Sequence, residues 1–173
     1  MRKAILCIGV LAVCLLVLPS SVKADINIFM HIDRIPGESQ AADHENWIDV
    51  LAFSEGFSNT GIADDSATNR IVITKYLDKS SPPLRMKRYG GRELANLVTI
   101  DMATSGVDPI VIIMKIELGS VTVESITTEV DALGSPRPME NIALRFKYIR
   151  ITYTPVDVSG LPLPAIIREY TFP

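Results

Sequence analysis

The sequence predicts a mainly β single domain with one short α-helix, preceded by an export signal. Three observations carry this reading. The hydrophobic period beyond residue 24 is two over most of the chain, the repeat of strands with one buried face. One segment, opening at Ser80-Ser81-Pro82-Pro83, has the start and stop signals of a helix. A length of 173 residues with 47% apolar and 21% charged side chains suits one packed domain, too apolar for intrinsic disorder and too short for two sizeable cores.

The first 24 residues are read as a signal peptide and set apart from the fold. Arg2 and Lys3 give a positive start, and Ala4 to Leu18 is an unbroken apolar run of 15 residues. A membrane-spanning helix needs roughly 20. Pro19 breaks the run and Val22-Lys23-Ala24 supplies small residues at the cleavage positions, so cutting is expected between Ala24 and Asp25. An uncleaved anchor fits less well because of Pro19, and a lipoprotein reading through Cys14 fails on Val13, where a small residue is wanted. Processing takes both cysteines, Cys7 and Cys14, leaving a domain at 25–173 with no thiol or disulfide. Removing 24 of 173 residues leaves 149, and with Arg2, Lys3 and Lys23 gone, 14 basic groups face 20 acidic ones, a net charge of −6. No basic excess is available for a nucleic-acid backbone, and nucleic acid is excluded as a partner.

The elements follow in order. Ile26, Ile28, Met30 and Ile32 alternate with Asn27, Phe29 and His31 in a first strand, and Trp47 to Phe57 reads as a second. Ile71 to Tyr76 is a third, with Ile71, Ile73 and Lys75 on one face. The helix is capped by the Ser81 hydroxyl, with Ser80 as the alternative, has proline in its first turn and stops at Gly90-Gly91. A helix of about two turns must pack on the sheets to persist. Val98 to Met102 is a fourth strand, Ile110 to Leu118 a fifth, and Val121 to Ile126 a sixth after a turn at Gly119. The longest pattern runs from Ile142 to Tyr153, but its phase slips near Tyr148, which implies a bulge or passage from one sheet to another. Ile166 to Phe172 supplies a closing strand after Pro162 and Pro164, residues no central strand accommodates.

The chemical inventory is thin. His31 and His44 are the only histidines, and neither HExxH nor a tight histidine pair exists, so a solvated or edge histidine is the expectation for both and no metal site is assigned. No GxSxG elbow accompanies a serine, which leaves a triad without support. Asp33, Glu38, Asp43, Glu45 and Asp49 fall within 17 positions and could pair as glycosidase carboxylates, but solvated loop charges account for them better. Asp64-Asp65 lacks the spaced oxygens of a calcium loop, and no phosphate-binding GK[ST] follows Gly90-Gly91. No catalytic, cofactor-binding or metal-ligating residue is therefore named. The long connections, Asp33 to Asn46 and Ser58 to Asn69, are of a length that commonly carries function or interaction.

Several segments resemble one family. Asp25 to Ile32 followed by Ile35-Pro36-Gly37-Glu38-Ser39 resembles the opening strand and "I-x-G-E-S" turn of the Hcp proteins, the tube subunits of type VI secretion systems. His44 to Ser54 is similar to that family's second strand, Ile73-Thr74-Lys75-Tyr76-Leu77-Asp78-Lys79-Ser80-Ser81-Pro82 to its strand-to-helix segment, and Glu140 to Pro155 to its long late strand ending in "Y-x-P". The resemblance implies a small closed barrel of two antiparallel sheets with one short helix. It also implies a non-enzymatic subunit of six-membered rings that stack into a secreted tube, with sheath, spike and effector proteins as partners and no cofactor. Three features depart from the family pattern. The export signal is one, since family tube proteins are generally made without it; Glu55 stands where a second tryptophan is common; and the Ser58–Asn69 loop is polar and acidic.

The resulting expectation is a ring-forming, secreted structural protein, with Asp33–Asn46 and Ser58–Asn69 as assembly surfaces and Trp47, Phe53 and the apolar face of Ile142–Tyr148 as core. Asp64 and Asp65 are expected to meet Arg85, Lys87 and Arg88 of a stacked ring. The alternative is an exported monomeric barrel that binds a ligand or a cell-envelope component.

Overall fold

The computed structural model describes residues 25–56, 69–105, 110–130 and 137–173. These described residues form nine antiparallel strands and one helix: β1 (Asp25–Ile32), β2 (Ile48–Val50), β3 (Ala52–Gly56), β4 (Arg70–Tyr76), α1 (Ser81–Tyr89), β5 (Glu93–Ser105), β6 (Ile112–Glu129), β7 (Met139–Arg145), β8 (Tyr148–Tyr153) and β9 (Ile166–Thr171). The hydrogen-bonded order is β2-β1-β5-β6-β7-β4-β3, with β8 and β9 branching from β6. The two ends of that path, β2 and β3, are successive in the chain with Leu51 alone between them. The Leu51 N–H donates to the Thr74 carbonyl of β4 at 2.7 Å. The run from Ile48 to Gly56 thus passes from the β1 edge to the β4 edge and completes the circuit of a small barrel.

The long strand β6 is where the path branches. β6 pairs with β8 over Met114–Gly119 and with β7 over Thr122–Glu129, while β5 accompanies it from Ile112 to Thr122. The expected turn at Gly119 is instead a bend within one continuous strand, where Ser120 takes a positive φ of 51°. At Gly119 a Cβ would stand 3.0 Å from the Tyr148 Cβ across the ladder, a tight contact that glycine avoids. The phase slip in Ile142–Tyr153 is the second reading offered: β7 ends at Arg145, Phe146 and Lys147 turn the chain, and β8 joins a different set of neighbours.

The core is one cluster inside the barrel. Met30, Ile32, Ile48, Ile71, Ile73, Val98, Ile100, Ile116, Leu118, Ile142, Leu144 and Phe146 are all essentially inaccessible, and Leu84 plugs the cluster from α1. At about 25 cal/mol per Å² of apolar area, each such side chain contributes roughly 1.5–3 kcal/mol of burial free energy. Phe53 packs on the cluster half-buried. Trp47 is also half-buried and lies against the two histidines, so it is not a core residue. β9 exists as expected, but among the described residues it pairs with β8 alone, on the far side from β6, and all six of its residues are exposed.

Candidate functional site

The Asp33–Asn46 connection is folded back on the barrel. The Gly37 N–H donates to the Asn46 carbonyl at 2.7 Å, Asn46 N–H to Ser39 at 2.9 Å and Ser39 N–H to Trp47 at 3.0 Å. Gly37 is pressed so closely on the start of β2 that a Cβ would lie 2.2 Å from the Trp47 carbonyl oxygen and 2.4 Å from the Ile48 Cα. Glu38 accepts from the Lys79 N–H at 3.1 Å and pairs with Arg137 at 3.6 Å, which ties the loop to the approach of α1 and to the start of β7.

His44, expected in solvent, is buried. Its ring stacks on Phe29 at 4.3 Å, meets Trp47 edge-on at 4.7 Å and has Nε2 3.1 Å from Asp101 Oδ2 of β5. The other Asp101 oxygen is buried without a hydrogen bond, 3.9 Å from the Lys115 ammonium. The loop therefore covers the second face of β1 and β5, which explains why Phe29 and Asp101 are buried although they point away from the barrel interior. His31 is exposed beside Trp47.

A second buried polar cluster fixes the helix. Lys75, wholly inaccessible, donates to Asp78 Oδ1 at 2.7 Å, the Tyr76 carbonyl at 2.8 Å and Ser81 Oγ at 3.0 Å, and its Nζ lies 3.2 Å from Glu140 Oε2. Glu140 also accepts from the Ser81 hydroxyl and from Arg85 of α1. Ser81 is thus no helix cap: its hydroxyl holds the Asp78 N–H at 3.1 Å and bridges Lys75 to Glu140. Ser80 occupies the N-cap position without a side-chain cap bond, and Asp78 accepts from both its N–H and its hydroxyl. The stop at Gly90-Gly91 is as expected, with Gly91 at φ 57°.

The β8–β9 ribbon has the opposite character. Tyr153, Val156, Val158, Leu161, Leu163, Ile166, Ile167 and Tyr170 are all exposed within 18 residues, an apolar surface on an otherwise acidic chain. Across it runs a polar ladder: Glu169 accepts from the Tyr148 hydroxyl at 2.9 Å and from Arg150 at 3.1 Å, and Arg150 reaches Glu117 of β6 at 3.8 Å. The Tyr148 hydroxyl, then the Arg150 guanidinium, hold the Glu169 carboxyl below its ordinary range, and the same bond pushes the Tyr148 phenol up. The density of apolar residues after Tyr153, interrupted by Pro155, Pro162 and Pro164, is the signal in the sequence for this surface, which the period-two pattern of β9 alone does not reveal.

The carboxylates offered as a glycosidase pair do not converge. Asp33 pairs with Arg34 at 3.2 Å, Glu38 serves the loop anchor, and Asp49 is exposed on β2. Among the described residues, no three histidine, cysteine, aspartate or glutamate side chains are grouped to hold a metal. Residues 58–68, with Asp64 and Asp65, lie outside the described residues, as do residues 1–24. Of the cations expected to face Asp64 and Asp65, Arg85 is engaged with Glu140 and Thr128, and Lys87 with the Glu93 carbonyl.

The model of the family described as "Type VI secretion system effector, Hcp" matches residues 29–153. The chain is 30% identical over 143 residues to protein hcp1 of Pseudomonas aeruginosa, spanning 78% of this chain and 87% of that protein. Its fold is similar to that of Hcp1 from Salmonella typhimurium, with a TM-score of 0.71 and 24% identity over 85% of this chain and 94% of that one. It is also similar to a type VI secretion system effector from Yersinia pestis, with a TM-score of 0.67 and 25% identity over 83% and 98% of the two chains. The matched stretch runs from Phe29 in β1 to Tyr153 at the end of β8 and takes in α1, and the chain belongs to the Hcp family of type VI secretion system proteins.

Proposed function

We propose that the chain is a structural subunit of a type VI secretion tube, assembled as six-membered rings that stack end to end. Sheath, spike and effector proteins meet it as this assembled body, and it performs no catalysis of its own. Family membership supports the tube role. The observation that carries assembly is the β8–β9 ribbon, whose edge strand is exposed along all six residues and continuous with apolar side chains that water covers only at a cost. Obligate assemblies bury such surfaces.

The Ser58–Asn69 connection belongs between stacked rings in this reading, and Asp33–Asn46 is an anchored surface that presents Glu38, Gln40 and Glu45 to a neighbour. Residues 1–24 remain an export signal, cleaved before Asp25. Negative-stain electron microscopy of the purified protein tests the ring: annuli with sixfold symmetry support it, and a field of single subunits contradicts it. Terminal sequencing of protein from its native host tests the export claim, which a soluble product starting at Met1 would overturn.

A further inference from the structure

The helix and the strand beside it form a basic groove on an acidic chain. Arg85, Lys87, Arg88 and Arg92 are four of the 14 basic groups of residues 25–173 and fall within eight positions, and α1 contains no acidic residue. Their duties differ. Arg85 is tied to Glu140 and Thr128 and Lys87 to the Glu93 carbonyl, whereas Arg88 and Arg92 are exposed and neither side chain has a partner among the described residues. The Arg92 stem lies over Gly90, where a Cβ would meet its Cγ at 3.7 Å, so the two unpaired cations share the C-terminal end of the helix. A helix dipole favours cations there, but it gives no account of the apolar side chains among them. Met86 and Tyr89 are 62% and 73% exposed. Beyond Thr122, where pairing with β5 ends, the side of β6 away from β7 has no strand against it among the described residues. Ser125 and Ile126 of that stretch form one wall of a groove of about 420 Å³, and Arg85, Arg88 and Tyr89 form the other.

We propose that this groove docks an acidic segment of a partner protein, with carboxylates on Arg88 and Arg92 and an apolar side chain against Tyr89 and Ile126. Charge complementarity selects the occupant. A guanidinium presents a planar fork that matches a carboxylate with two parallel hydrogen bonds, and two such forks stand here without a carboxylate of their own chain. The hydroxyls of Tyr89 and Ser125 likewise have no partner among the described residues and can donate to the same segment. The aromatic ring of Tyr89 gives the apolar side chain a rigid surface at low entropic cost.

The shape of the site argues against other anionic partners. Its cations line a slot between a helix and a strand, with Arg85 held in place by Glu140 and Thr128, and a slot admits inserted side chains where a bilayer surface meets a flat basic face. Four cations on a chain of net charge −6 form no continuous track for a nucleic-acid backbone. Every residue of the groove comes from one chain, so the inference goes beyond the ring reading and does not depend on it.

The test is fluorescence anisotropy of a short labelled peptide alternating glutamate with leucine, titrated with the purified full protein. Binding that weakens as salt rises is expected. Arg88→Glu with Arg92→Glu is expected to lower the affinity by roughly tenfold or more and to bind instead a peptide alternating lysine with leucine. Neither arginine has a side-chain partner to lose, so these variants keep the fold. Arg88→Lys with Arg92→Lys keeps the charge but not the fork and is expected to fall between the two, and Tyr89→Ala to weaken binding by roughly threefold. Equal affinity of the wild type and the charge-reversed variant overturns the proposal. A wild type that ignores the glutamate peptide but sediments with phosphatidylserine vesicles overturns it in favour of a lipid surface. Stacked rings that are lost with Arg88→Glu and restored by Asp64→Lys with Asp65→Lys would give the groove to a second copy and overturn it as well.

Discussion

Replacing Lys75 with methionine keeps the side chain's length and deletes its charge. In the native chain the ammonium is inaccessible and serves Asp78, Ser81, the Tyr76 carbonyl and Glu140. Lys75→Met leaves two buried carboxylates, and the one cation left on them, Arg85, is itself partly exposed. Removing one partner of a buried pair costs about 3–5 kcal/mol, against roughly 0–1 kcal/mol for an exposed pair. The double variant Lys75→Met with Glu140→Gln also removes one of the stranded charges, and is expected to regain about 1–3 kcal/mol over Lys75→Met alone. Urea unfolding at fixed protein concentration measures both, because assembly itself shifts apparent stability. In thermal unfolding the single change corresponds to a drop of roughly 6–20 °C for a chain of this size. A loss below about 1 kcal/mol, or a double variant less stable than the single, would refute the claim that this cluster fixes α1 to the barrel.

Ser81→Ala deletes the acceptor of the Asp78 N–H and the bridge to Glu140, and is expected to cost about 1–3 kcal/mol by leaving buried groups unsatisfied; Ser80→Ala, which disturbs neither, should cost less in the same unfolding assay. Gly37→Ala forces a Cβ into backbone atoms and is expected to lose at least the roughly 1–3 kcal/mol of an overpacked core, with the His44 ring released from Phe29 in its NMR shifts. Because the folded Glu169 carboxyl titrates below its unfolded value, it stabilises the ribbon above the ordinary carboxylate range, and that contribution disappears as pH falls through the folded value. Amide protection along β8–β9 should therefore fall on acidification below about pH 4, and Glu169→Gln should remove that dependence and bring the Tyr148 phenol down in an ultraviolet titration.

The strands were legible because the barrel interior is apolar and the period-two pattern of Ile71-Ile73 or Ile142-Leu144-Phe146 reports it directly. What lay between strands was not. Whether Gly119 turned the chain or bent it depended on β8, whose register places Tyr148 against Gly119, and register is a non-local fact. Lys75 shares the phase of Ile71 and Ile73, and Glu140 that of Ile142 and Leu144, so a buried pair was written in the sequence. Reading it required knowing that β4 and β7 are neighbours with Lys75 opposite Glu140. Ser81 looked like a cap because hydroxyl before proline usually is one, but a buried lysine and glutamate compete for the same oxygen and win. His44 followed the same logic: a loop that covers an outer face of the barrel turns a polar position into a buried one, and the pairing with Asp101 spans 57 residues. The apolar ribbon after Tyr153 is the reverse case, visible in composition yet unreadable as exposed until β9 was found to pair on one side only.

The central claim, that this chain is a ring-forming tube subunit, is tested most directly by native mass spectrometry of the purified protein at micromolar concentration. The account predicts a dominant species of six copies, with multiples of six where rings stack. A single copy or a two-fold dimer at every concentration would contradict it.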